Sequence, residues 1–231
     1  MAAKKTTTRA LKQKSIGYEN IAEWMRNNES VVDAHIQDYF SKRVEDEAKN
    51  VWQGQHFEWF ANRVERDRFT EVDLAAIGAL SVDISAQTVR ELIEDRGGVL
   101  RQLLRECELW IAAHGNDLSD SELSTDWLKK ESCFQRLWFE LVRSERIDLG
   151  PVKASKLMAT RYPGLIPIFD SEVSWLLQPR VESTWWEPMR NLLLEVSPIL
   201  KKSIVKRDDI YVTPLRKLDV VLWMEAKKRR G

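Results

Sequence analysis

Ile147 to Asp170 reads I-D-L-G-P-V-K-A-S-K-L-M-A-T-R-Y-P-G-L-I-P-I-F-D, and this stretch decides the fold. The turn Asp148-Leu149-Gly150 leads into Pro151, whose fixed φ and missing N–H suit a first helical position. The helix that follows sets Ala154, Leu157 and Met158 on one stripe with Lys153 and Lys156 beside it. It should stop near Tyr162, because Pro163-Gly164 cannot continue it. The apolar run Leu165 to Phe169 then delivers Asp170 to the start of another helix. Unpaired N–H groups at a helix start leaving a tight turn can hold an anion.

The segment resembles the hairpin and aspartate region of helix-hairpin-helix DNA glycosylases of the endonuclease III type. In that superfamily a Gly-apolar-Gly hairpin grips a DNA phosphate, and an aspartate downstream serves the flipped nucleotide. With Gly150 as the second hairpin glycine the aspartate falls on Asp170, at the family's separation of 20 residues (170 − 150). The resemblance implies DNA as partner, contacted through Leu149, Gly150, Val152, Lys153 and Lys156, and Asp170 as the catalytic residue. Two positions depart from the pattern: Asp148 replaces the first glycine, and Val152 stands where bifunctional members carry a lyase lysine. The activity implied is therefore hydrolysis of an N-glycosidic bond, the alternative being a non-catalytic DNA-binding or protein-interaction protein that keeps only the fold.

A longer resemblance runs through Trp52–Glu58, Arg68–Leu74, Lys153–Leu157, Ile166–Ser171 and Arg216–Met224. These blocks resemble a bacterial family of uncharacterised proteins that share a domain of unknown function.

Composition narrows the class. With 231 residues, 43% of them hydrophobic and ten tryptophans, the chain can build a sizeable core. No apolar run approaches the roughly 20 residues of a membrane span. The basic, Thr-rich start lacks the apolar stretch of a signal peptide, so a cytoplasmic location is expected. Cys107 and Cys133 form neither a disulfide framework nor a Cys-rich metal site, and each is expected as a reduced, packed thiol. Neither a cofactor nor a metal is implied, and the common nucleotide-binding and hydrolase motifs are missing.

Net charge is zero but unevenly spread. Residues 1–14 hold five bases and no acid, and residues 226–231 hold four bases and no acid, leaving 27 bases (36 − 9) against 36 acids between them. Such a body does not coat DNA broadly, so any contact is narrow.

Apolar residues recur at three- and four-residue spacing along most of the chain. An all-α protein of two lobes resembling the glycosylase fold is expected: 1–14 a basic tail, 15–114 an N-terminal helical lobe, 115–126 an acidic linker, 127–225 the hairpin-containing lobe, and 226–231 a second basic tail. Local signals include a capping box at Thr70–Asp73, caps at Ser85 and Thr213, and stops at Gly97-Gly98 and Gly115. A helix from about Trp185 to Val196 follows the aspartate.

Several side chains admit two readings. Asp170 is both a helix cap and a candidate catalytic carboxylate. Lys153 and Lys156 are solvated surface lysines or phosphate contacts. His56, Phe57 and Glu58 are core-edge residues or a wall of a nucleotide pocket. Asp219, on the apolar stripe of the last helix, needs a partner, for which Arg216 is the local candidate.

Overall fold

Short polar residues at the helix starts set where the elements begin. The computed structural model describes residues 14–40, 52–147, 149–178 and 185–231. Within them lie α1 (Tyr18–Asn27), α2 (Glu29–Phe40), α3 (His56–Ala61), α4 (Glu71–Ala79), α5 (Ala86–Glu94) and α6 (Val99–His114). The chain continues through α7 (Cys133–Arg143), α8 (Gly150–Arg161), α9 (Ser171–Leu177), α10 (Trp186–Lys202) and α11 (Pro214–Arg230). The protein is all-helical, with no strand among the described residues. Among those residues no helix is long and apolar enough to cross a membrane. Residues 1–13 of the basic N-terminal run, and Asp148, lie outside the described residues.

Thr70 and Asp73 form the reciprocal capping box that opens α4. Ser85, Ser132 and Thr213 accept N–H groups at the starts of α5, α7 and α11. Three boundaries differ from the sequence expectation. The chain leaves α5 at Asp95, before Gly97-Gly98, in a left-handed conformation with φ 43°. That strain is offset because the Asp95 carboxylate accepts the N–H groups of Leu100 (3.0 Å) and Arg101 (2.9 Å) in α6. α10 runs past Val196 through Pro198 to Lys202. Pro198 has no N–H for the Leu194 carbonyl, and the Ser197 hydroxyl donates to that oxygen instead, at 3.4 Å. The basic run at 226–231 is the final turn of α11 rather than a tail. Ala226 is fully buried, Lys227 and Arg230 pair with Glu172, and Arg229 pairs with Glu225. Cations at a helix C-terminus also suit its dipole.

Packing groups the helices by space, not by chain order. α1 and α2 pack with α9, α10 and α11, whereas α3, α4, α6, α7 and α8 pack with one another. One continuous core joins the two groups, with Ile21 and Phe40 at one end and Leu104 and Phe134 at the other. Leu118 and Leu123, within the acidic stretch 115–126, are buried in that core. The Leu118 N–H donates to the Gly164 carbonyl at 2.9 Å. A Cβ on Gly164 would lie 2.0 Å from the Asn116 carbonyl oxygen, so the two backbones meet only because residue 164 has no side chain.

A buried ion pair fastens α8 to α4. Arg161, at the end of α8, donates to the Asp73 carboxylate at 2.9 Å, and both side chains are fully buried. The same guanidinium reaches the carbonyls of Glu65 and Arg68 and lies over the Phe69 ring. Thr160 adds a hydroxyl to Asp73 at 3.1 Å. Removing one partner of such a pair strands the other without a counter-charge. Arg161→Ala should therefore destabilise the protein by about 3–5 kcal/mol, read as a lower urea midpoint at unchanged slope. A loss below about 1 kcal/mol would show that the pair is not what ties α8 to α4.

Candidate functional site

The two helix groups leave a cleft of about 500 Å³ between them. Its walls come from Tyr39 of α2, Trp52 and Gly54, residues 79–81 at the end of α4, Lys156 of α8, the start of α9, and one face of α11. Gly54 lets this wall close: a Cβ there would stand 2.1 Å from the Tyr39 hydroxyl. The Trp52 and Trp223 rings meet edge to face, with centroids 5.2 Å apart.

Asp170 enters the cleft as the cap of α9. Its Oδ1 accepts the Glu172 N–H at 2.9 Å, and its Oδ2 lies 3.2 Å from Lys156 Nζ. The cap reading thus holds for one oxygen, and the other faces a cation at the cleft. Lys156 also donates to the Leu80 carbonyl at 3.1 Å and is only 8% exposed. Lys153 does not share this position. Its Nζ donates to the Asp83 carbonyl at 2.5 Å, beside a separate shallow depression that Arg146 also lines.

The hairpin itself is a turn between α7 and α8. The Leu149 N–H donates to the Leu141 carbonyl at 3.2 Å, and Thr88 of α5 holds the Ile147 carbonyl at 2.9 Å. Leu149 is buried, and Val152 is half-buried. Gly150 sits at φ +68°, where an L side chain would be strained although the space around it is open.

Behind the cleft, Arg216 of α11 donates through Nε to Glu58 Oε1 at 2.5 Å and through Nη2 to the Tyr39 hydroxyl at 3.0 Å. Phe57 packs under the same guanidinium, and His56 is half-buried at the start of α3. The trio His56, Phe57 and Glu58 therefore backs the wall rather than lining it. Burial pushes the Glu58 carboxyl upward against the opposing pull of Arg216, and pushes the Tyr39 hydroxyl to about 12.

Asp219, one turn after Arg216, does not receive the ion pair expected from the sequence. Its Oδ2 accepts a long hydrogen bond from the Ile168 N–H at 3.4 Å, while its buried Oδ1 finds no partner among the described residues. Burial, reinforced by Asp170 and Glu58 and opposed by Arg216, raises its pKa to about 7. The sequence held the signal, an acid on an apolar stripe, but helix spacing alone pointed Arg216 at the wrong carboxylate.

The remaining chemistry-bearing residues lie elsewhere. Cys107 and Cys133 are free, buried thiols. His35 pairs with Glu225 at 2.9 Å, and His114 stacks on Trp110. The described residues hold no group of three or more His, Cys, Asp or Glu placed to bind a metal ion.

Fold and site together define an all-helical protein with a carboxylate-lined cleft between two helix groups. Residues 32–226 match the model of a family described as "Family of unknown function (DUF6308)", and the chain belongs to that family. Comparison with curated proteins and with solved structures returns no match.

The raised pKa makes stability depend on pH. Between the unfolded value of 3.8 and the folded value of about 7, the folded state holds a proton on Asp219 that the unfolded state releases. Rising pH therefore erodes stability across that window. Asp219→Asn, a neutral isostere, should raise the melting temperature at pH 8 and change it little at pH 4. Even half of the roughly 4 kcal/mol separating pKa 3.8 from about 7 would give about 5 °C at pH 8. A variant equally or less stable than wild type at pH 8 would contradict the assignment.

Proposed function

We propose that this protein binds DNA in the manner of helix-hairpin-helix glycosylases, takes an extruded nucleotide into the cleft, and hydrolyses its N-glycosidic bond with Asp170. The observation that carries this reading is the Asp170 carboxylate at the cleft, 3.2 Å from Lys156 on the hairpin helix. The α7–turn–α8 arrangement and the left-handed Gly150 support the hairpin part of the reading. The edge-to-face tryptophans offer flat apolar surface for a base.

In this mechanism the base leaves with the bonding electron pair and takes up one proton, and the attacking water gives up one as its oxygen bonds to the sugar, so the hydrolysis balances. The Asp170 carboxylate stabilises the positive charge developing on the sugar and orients the water that attacks C1′. Lys156 fixes the carboxylate's direction. A second reading, binding without chemistry, draws support from Asp148 and Val152 at the hairpin positions and from the excess of acids between the basic ends.

Two substitutions at Asp170 separate the roles. Asp170→Asn keeps an acceptor for the cap, so it should fold normally yet abolish base excision from damaged duplexes. Asp170→Ala should lose both functions, the cap costing about 1 kcal/mol. Full activity in Asp170→Asn would defeat the electrostatic role. A wild-type protein that binds abasic-site duplex but releases no base from any substrate would favour the second reading.

A further inference from the structure

Asp219 and Trp223 are four residues apart on α11 and line the same cleft. That spacing stacks them on one helix face, with a carboxylate beside an indole. Trp52 stands at 86° to the Trp223 ring and is itself fixed by an indole N–H donated to Asp38 at 3.2 Å. Asp219 is 4% exposed, yet its Oδ1 has no partner among the described residues. The nearest cation on its own helix, Arg216, is turned to Glu58 and Tyr39. A buried carboxylate oxygen with no donor is costly, and native proteins keep few of them. Because Asp219 lines the cleft, a ligand seated there is the group that can bring an N–H to this oxygen.

We infer that Asp219 is the recognition group of the cleft, its Oδ1 accepting an N–H from the exocyclic amine of an amino-substituted nucleobase whose ring lies against the Trp52–Trp223 corner. This deepens the nucleotide-cleft reading and rests on it for the identity of the ring. The chemistry of the cleft wall sets the class. Once ionised, above about pH 7, the carboxylate only accepts and asks for a donor, and the indoles ask for a flat, polarisable ring. Arg216 and Lys156 are already engaged by Glu58 and Asp170, which leaves the donor to the ligand.

The test uses paired small probes on the full-length protein. In 9-methyladenine and 1-methylcytosine the exocyclic amine is the sole N–H donor, and 9-methylpurine and 1-methyl-2-pyrimidinone lack it. Titration at pH 8, followed by the indole N–H resonances of Trp52 and Trp223, should show at least one amino base binding about 10- to 100-fold more tightly than its partner, as expected for a hydrogen bond to a charged acceptor. Asp219→Leu replaces the carboxylate by an apolar side chain of similar volume and should fold. It should bind both members of each pair equally. Equal affinities in the wild type, discrimination that survives in Asp219→Leu, or no binding of either amino base would overturn the inference. This result is independent of turnover on DNA. Amine-selective binding without base excision would sustain the inference while the hydrolytic reading fails. Excision unchanged in Asp219→Leu would do the reverse.

Discussion

A single buried guanidinium stands beside two buried carboxylates, and the character of the cleft follows from that shortage. Arg216 commits its Nε to Glu58 and an Nη to Tyr39, bringing α11, α3 and α2 together behind the wall. Asp219 is left on the cleft side with only a long backbone hydrogen bond. The guanidinium N–H groups of Arg216 that find partners are aimed at Glu58 and Tyr39, and none of its hydrogen bonds reaches Asp219. Asp219 then escapes the penalty of burial by holding its proton to near-neutral pH.

The cleft persists because three polar ties hold its walls while the apolar core continues around it. Arg161 with Asp73 anchors α8 on α4, Lys156 with Asp170 anchors α8 on α9, and Arg216 with Glu58 anchors α11 on α3. Two of the ties join segments 88 and 158 residues apart, the third links consecutive helices, and two of the three border the cleft directly. Buried ion pairs of this kind add little net stability over apolar packing, but each constrains which surfaces can meet. In this chain they fix a polar, aromatic-walled depression where hydrophobic contact alone would close the gap.

How much of this was legible in the sequence follows from the range of each interaction. Thr70–Asp73, Ser85, Thr213 and Asp170 were readable because a cap is satisfied within three residues. The all-helical class followed from apolar spacing for the same local reason. The left-handed Asp95 was hidden because its compensation lies in the next helix. The basic end of α11 looked like a tail because its partners, Glu172 and the buried surface around Ala226, come from the rest of the fold. Lys156 and Lys153 share a face by spacing, yet one meets Asp170 and the other Asp83, contacts that no helical wheel contains. The near-neutral carboxylate was half visible: Asp219 stood out on the apolar stripe, but the direction of Arg216 depends on Glu58, 158 residues away.

Asp219 lines the cleft as an acid without a counter-ion of its own among the described residues. The most direct test is a carboxyl-carbon NMR titration of Asp219 in the intact protein. The carboxyl should titrate near pH 7. A midpoint near the ordinary aspartate value of about 4 would mean that Arg216 or solvent neutralises it, and the account of the cleft would be wrong.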